Sequence, residues 1–167
     1  MDRPNPPSSL LELSDLSDFG VRLTPATELW EWLQAEILAD TGSIHNEDHG
    51  YLPDADIRIM WASSSFEKQG RTVLGQAEQA AFRAGGWQKA RMEQQMRDWF
   101  GEVLAYVITF AADCYAQCSD TDFCAVVEHE LYHIAHANDI QDTKSNIDTH
   151  ISNSFAWIRE GIVGGAR

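Results

Sequence analysis

The chain has 167 residues, 44% of them hydrophobic, and a formal net charge of −14, which suits one globular domain with a real core. A surface this acidic repels phosphate backbones, so we expect no general nucleic-acid binding. No apolar run reaches the roughly 18 to 20 residues that span a bilayer, and Met1–Pro4 lacks the pattern of a signal peptide. We therefore expect no membrane association and a cytoplasmic location.

The N-terminal part of the chain predicts an arm followed by a helix. Residues 1–20 are rich in Pro, Ser and Asp, a composition typical of a flexible arm, and we expect a single domain over residues 21–167. Thr24-Pro25 resembles an N-cap followed by a proline in the first turn, which predicts a helix ending near Gly42.

A polar loop is predicted over Ser43–Tyr51. It contains His45 and His49, which share the four-residue spacing of a metal-binding pair. The neighbouring Asn, Asp and Gly residues argue against a helix there, so we expect solvated histidines. A short strand is predicted at Ile57–Trp61.

The middle of the chain predicts a helix and then the main strand. Residues 76–99 are expected to be mostly helical, with a break at Gly85-Gly86. The β-branched and aromatic run Val103–Ala112 predicts the main strand, whose edge we expect to pair with an extended substrate. The apolar side chains of this helix that we expect in the core of the protein are Trp87, Met92, Met96 and Trp99.

A further predicted helix, which begins near Ser119, contains the motif that is most informative about function. Ser119–Asp122 offers N-capping and first-turn acidic residues. Apolar residues then recur at helical spacing on one side, and the histidines of the stretch His129-Glu130-Leu131-Tyr132-His133 fall on the opposite side. The apolar residues are Phe123, Val127, Leu131 and Ile134.

HExxH on a helix is typical of a zinc site. His129 and His133 lie one turn apart, so both imidazoles can bind one Zn²⁺ ion. Glu130 can then take a proton from a water bound to that zinc. Tyr132 and Tyr115 are candidates to stabilise the oxyanion, although packing alone explains a tyrosine at either position.

A catalytic zinc needs a third protein ligand. We favour His150, at the start of a last predicted helix (Asp148–Ile162), because a helix packed back on the motif helix aims its first turn at the metal. His136 would reach the zinc only if the motif helix broke. Asp139 has the metzincin spacing without the required glycine, and Glu160 lies near the end of the chain.

Several segments together resemble the putative phage metallopeptidase family, which is related in outline to SprT-like minimal zincins. They are Gly70–Gly75, Val107–Phe110, Val126–His133, and His150 ahead of Phe155. The resemblance implies a phage or prophage origin and an α+β, minimal zincin-like domain. In such a domain a small β-sheet packs on the HExxH helix, with flanking helices.

Two functions are therefore expected, and they differ in class. The first is a zinc-dependent metallopeptidase that acts on a basic protein or peptide, with Glu130 as general base. The second is an acidic phage inhibitor that binds a host defence or DNA-binding protein, with the zinc site structural or inactive. The net charge of −10 over residues 1–57 and −7 over residues 101–167 motivates the second. The oligomeric state is not predicted.

Overall fold

The computed structural model describes residues 2–14, 20–50, 52, 56–80 and 84–138. The last predicted helix, Asp148–Ile162, lies outside the described residues. The described helices are α1 (Ser8–Ser14), α2 (Thr27–Leu33), α3 (Gly86–Phe100), α4 (Ala112–Tyr115) and α5 (Asp120–Asn138). A π-helical turn (Gln34–Leu38) continues α2, and a 3-10 turn covers Glu47–His49.

A four-stranded mixed sheet forms the centre of the described fold. The described strands are β1 (Leu23–Pro25), β2 (Ile57–Ala62), β3 (Phe66–Lys68), β4 (Arg71–Val73), β5 (Gly75–Gln79) and β6 (Tyr106–Ala111). The sheet has the order β1-β2-β6-β5, and β3 and β4 form a separate hairpin. Strands β2 and β6 are parallel, whereas β1 and β5 are antiparallel to their neighbours.

The two faces of the sheet are covered by different helices. On one face, side chains of β2 and β6 pack with α2 and α5 in the main core, which includes Ile59, Ile108 and Phe110. On the other face, Met60 and Val107 pack with a smaller cluster from α3. Because apolar residues line both sides of β2 and β6, these two strands are buried almost throughout.

Two predicted strands are confirmed and one predicted helix start is wrong. Strand β2 matches Ile57–Trp61, and β6 occupies the centre of Val103–Ala112. Thr24-Pro25 belongs to β1, and α2 begins only at Thr27. The proline is tolerated there because β1 is an edge strand, where a missing N–H costs no ladder hydrogen bond.

The prediction of a mostly helical segment over residues 76–99 is wrong in its first part. Gly75–Gln79 forms β5 and pairs with β6, and the helix starts at Gly86. Gln, Ala and Glu favour helices when considered alone. Pairing with the buried strand β6 overrides that preference, as tertiary context often does for short segments.

The expectation for the apolar residues of α3 is half right. Met96 and Trp99 pack against the smaller cluster. Trp87 is 86% exposed and Met92 is 39% exposed, so neither belongs to the core. Helix α3 contains no buried residue and touches the sheet mainly through its C-terminal turns.

The segment predicted as a flexible arm contains α1, and its described part contacts the domain. Leu10 is buried in the main core. Arg3 donates to the carboxylate of Asp120 at 2.7 Å and to the carbonyl of Cys118 at 2.7 Å. Its guanidinium lies 4.6 Å from the centroid of the Phe123 ring. Residues 2–14 therefore attach to the beginning of α5, while a domain boundary at residue 20 stays a prediction.

The predicted α+β class is confirmed, because a small mixed sheet and several helices share one core. That arrangement is compatible with a minimal zincin-like domain. Among the described residues, no helix combines the length and apolarity needed to cross a membrane.

The contrast between Ile108 and Trp87 tests this description of the core. Ile108 is fully buried, so Ile108→Ala should lower the free energy of unfolding by about 2–5 kcal/mol. Trp87→Ala should change it by less than about 0.5 kcal/mol, because the side chain makes little core contact. Urea unfolding followed by far-UV circular dichroism measures both. Equal losses in the two variants would place Trp87 in the core.

Candidate metal centre

Helix α5 forms as predicted and buries the expected face. Asp122 donates its backbone N–H to the Ser119 hydroxyl at 3.2 Å, and that hydroxyl donates to the Asp122 carboxylate at 2.7 Å. This reciprocal cap starts the helix. The four predicted core residues of α5 are at most 1% exposed. Burial of that stripe holds the opposite side of the helix, with the two histidines, away from the core.

The two motif histidines converge on one point. The Nε2 atoms of His129 and His133 lie 2.9 Å apart, with ring centroids 4.4 Å apart and ring planes perpendicular. Burial and, to a smaller extent, the neighbouring His133 together lower the pKa of His129 to about 4. His129 is therefore neutral at physiological pH, the form that binds metals.

The spacing of the two nitrogens fits a shared metal. Tetrahedral zinc with Zn–N bonds of 2.0–2.1 Å requires its two nitrogen ligands to be about 3.3 Å apart. A small rotation of either imidazole from the 2.9 Å separation meets that requirement. The donor set thus supplies two of the ligands that a zinc site needs.

Glu130 is buried between α5 and the edge strand β5. The residue is 4% exposed, and its Oε2 accepts a hydrogen bond from the backbone N–H of Ala77 at 2.7 Å. Burial raises the pKa of Glu130 to about 7, and the Ala77 N–H offsets only part of that effect. A carboxyl group with a pKa near neutrality can both accept and return a proton, as a general base must.

Gly75 provides the space that Glu130 occupies. A Cβ atom at position 75 would lie 3.2 Å from Oε1 of Glu130 and 3.0 Å from Cδ1 of Phe110. A larger residue at position 75 would therefore crowd this carboxylate, which would have to shift by a few tenths of an ångström. The sequence assigned no role to Gly75, although it is the last residue of the Gly70–Gly75 segment that resembles the family.

Within the described sheet, strand β5, not β6, is the edge strand beside the motif. Strand β6 lies between β2 and β5, so the predicted substrate pairing along Val103–Ala112 is wrong. Hydrogen bonds from Ala111 N to Leu74 O and from Ala80 N to Ala105 O fix the register. In that register the N–H and C=O groups of Gly75, Ala77 and Gln79 point away from β6.

His49 is not solvated, contrary to the prediction. It is fully buried, and its Nε2–H donates to Oε2 of Glu128 at 2.6 Å. The Nδ1 atom of His45 lies 3.1 Å from the Ile37 carbonyl and is only partly buried. The four-residue spacing of these histidines serves no shared metal, because the 3-10 turn Glu47–His49 directs His49 toward α5.

The described contacts of the two candidate oxyanion residues give neither of them a catalytic role. Tyr115 is 2% exposed and packs on Trp61, Phe110 and Phe123, and burial raises its pKa well above the usual value. The Tyr132 hydroxyl donates to the carboxylate of Asp48 at 2.7 Å. The oxyanion stabiliser therefore stays unassigned.

The third ligand stays a prediction. His150, Asp139 and Glu160 lie outside the described residues. His136 could bind the same zinc only if the helix broke between the motif and residue 136. Helix α5 continues without a break to Asn138. About 10 Å of helical rise separates residue 136 from residue 129. Within the described part of the chain, no three His, Cys, Asp or Glu residues gather as a metal site.

The comparison with known families agrees with this geometry. The model of the family described as "Putative phage metallopeptidase" matches residues 30–158. That range covers most of the chain, so the chain belongs to this family, and a phage metallopeptidase is what the family description names. Neither the curated proteins nor the solved structures gave a match.

The raised pKa of Glu130 predicts a pH-dependent stability of the metal-free protein. The native state holds this proton more tightly than the unfolded chain, so stability falls as pH rises from about 4.5 to about 7. The loss above that window is about 3 kcal/mol. Glu130→Gln carries no charge, so it should exceed the wild type in stability at pH 8 and nearly equal it at pH 5.

Urea unfolding at both pH values in the presence of a chelator measures this difference. Glu78→Gln is the matched control, because Glu78 is exposed on the same strand as Ala77. A Glu130→Gln difference of equal size at pH 5 and pH 8 would contradict the burial of an ionisable carboxyl group.

Proposed function

We propose that this protein is a zinc-dependent metallopeptidase with Glu130 as its general base. The observation that carries the proposal is the arrangement on α5. Two imidazole Nε2 atoms lie 2.9 Å apart, and the adjacent carboxyl group has a pKa of about 7. His129, His133 and, as predicted, His150 would hold the ion. A zinc ion there would supply Lewis acidity and lower the pKa of a coordinated water.

Glu130 would act by moving one proton twice. Ionised, it accepts the proton of the attacking water, and protonated, it delivers that proton to the leaving amine. Its Oε2 atom is fixed by Ala77 N–H, and its Oε1 atom lies on the side of Gly75. The hydrogen bond orients the carboxylate, while burial keeps its pKa close to neutrality.

An extended peptide is the substrate that the edge strand favours. The outward main-chain groups of Gly75, Gln79 and the Ala77 carbonyl offer hydrogen bonds to a strand added alongside β5. The same stretch of strand holds Glu130, so a peptide paired there would run beside the general base. We therefore assign to β5 the role first expected of β6.

The charge beside the site favours a basic substrate. No Lys or Arg occurs between Leu23 and Ile57. The exposed carboxylate of Asp48 accepts a hydrogen bond from the Tyr132 hydroxyl on the motif helix. A cationic peptide would be attracted to this side of the site, and a phosphate backbone would be repelled. We place the reaction in the cytoplasm of a bacterial host cell, where a phage protein would meet host proteins.

Glu130→Gln separates metal binding from catalysis. The variant should keep the zinc content of the wild type, because the two histidines are unchanged. Its rate of peptide cleavage should fall by about 10²–10⁴-fold, the contribution of a positioned general base. Zinc content is measured by mass spectrometry and cleavage on a substrate captured with the inactive variant. Wild-type cleavage by Glu130→Gln would refute the assigned role, and Glu78→Gln serves as the control.

The strong acidity also supports a second candidate, an inhibitor that binds a basic host protein. The charge of −10 over residues 1–57 is the observation in its favour. Binding of such a partner should then survive both Glu130→Gln and zinc chelation, and it should weaken steeply with salt because exposed charges are screened. Calorimetric titration of a captured partner measures this, and loss of binding after chelation would count against an inhibitor.

A further inference from the structure

A polar network joins the 3-10 turn to the motif helix. Oε2 of Glu128 accepts from His49 Nε2 at 2.6 Å and from Asn46 Nδ2 at 2.9 Å. Asn46 Nδ2 also lies 3.2 Å from the Tyr132 hydroxyl, which donates to Asp48. Two residues of α5 thereby form hydrogen bonds with three residues in and next to the 3-10 turn. Both α5 residues lie within or next to the HExxH stretch.

His49 is the buried centre of this network. It is fully buried, its ring centroid lies 4.7 Å from that of Tyr132, and its Nδ1 atom has no hydrogen-bond partner within the described residues. Within the described residues, the only hydrogen bond of the His49 side chain is therefore the one with Glu128. A buried polar atom without a partner costs free energy, so its retention here calls for an explanation. The contact is thus directed at α5 alone.

The network and Glu130 fix opposite flanks of α5. At about 100° per residue, Glu130 lies roughly 80° to one side of the mean direction of His129 and His133. By the same count, Tyr132 lies roughly 80° to the other side and Glu128 roughly 120°. Ala77 N–H anchors the first flank, and the His49 network anchors the second. Rotation of the helix about its axis is restrained on both sides of the histidine pair.

We propose that His49 is a positioning residue for the metal centre. It acts through Glu128 to set the rotation of α5, so that both histidine Nε2 atoms point at one ion. Its described side-chain contacts are with Glu128 and Tyr132. A contribution of His49 to catalysis rests on the proposed metallopeptidase function. Its effect on the orientation of the histidine pair is independent of that function.

Two substitutions of His49 test this role. His49→Leu keeps an apolar side chain of similar size and removes the donor to Glu128. It should weaken zinc binding severalfold, less than the roughly tenfold or more that direct hydrogen-bond partners of metal ligands contribute. His49→Gln keeps an N–H donor at the position of Nε2 and should restore most of that affinity. Competition with a chromophoric chelator measures affinity, and the absorption of bound Co²⁺ reports the coordination geometry.

Val107→Ala is the matched control for general loss of stability. Val107 is buried on the opposite face of the sheet from α5, so its variant should unfold more easily and keep full zinc affinity. Equal weakening in Val107→Ala, or wild-type affinity in His49→Leu, would overturn the proposal. If His49→Leu does not fold, Glu128→Ala removes the carboxylate that accepts from His49 Nε2–H and leaves a residue that favours a helix, and unchanged affinity and cobalt spectrum there would overturn it instead.

A metal-free readout distinguishes this proposal from the proposed function. In the apo protein, the imidazole ¹⁵N shifts of His129 and His133 report their Nε2 contact. They should change in His49→Leu and return toward wild type in His49→Gln. If the wild type binds no zinc, the metallopeptidase proposal fails, whereas unchanged ¹⁵N shifts in His49→Leu would refute the positioning role.

Discussion

The hydrogen bond between Ala77 N–H and Glu130 joins the motif helix to the sheet, and the site depends on it. It crosses from an edge strand to the helix that carries both histidines. The glycine at position 75 lets the carboxylate approach this closely without crowding, because a Cβ atom there would lie 3.2 Å from Oε1. Strand β5 must also be an edge strand, since only there does a backbone N–H point away from the sheet.

The same contact balances two opposing effects on one carboxyl group. Removal from water disfavours the charged form of Glu130, whereas a backbone donor favours it. Burial is the larger effect, so the pKa lies near 7 and not near 4. A carboxylate with the same hydrogen bond on an open surface would stay ionised and would release its proton too readily to act as a shuttle. The depth of the contact matters as much as its geometry.

The sequence predicted the parts of the site that repeat with a regular period. The apolar stripe of α5, its cap at Ser119 and the placement of the histidines opposite the core all follow from helical spacing. Strand β5 was missed because its five residues contain helix-favouring Gln, Ala and Glu, and their pairing partner lies some thirty residues later. No local pattern carries that information.

His49 was missed for a related reason. Its neighbours Asn46, Asp48 and Gly50 are typical of an exposed turn, and the turn is indeed present. What decides burial is the partner at Glu128, which lies far away in the sequence. Long-range polar contacts have no periodicity, so they become visible only when the packed structure is known.

The position of β5 at the edge of the described sheet also bears on how copies of this protein behave toward one another. An exposed strand edge is a template for pairing with the same strand of a second molecule, a common route to aggregation. Two molecules that each carry a charge of −14 repel as they approach, and salt limits that repulsion to about 8 Å at physiological ionic strength. The acidity that would attract a cationic peptide to this edge therefore also acts as colloidal protection, which high salt should remove first.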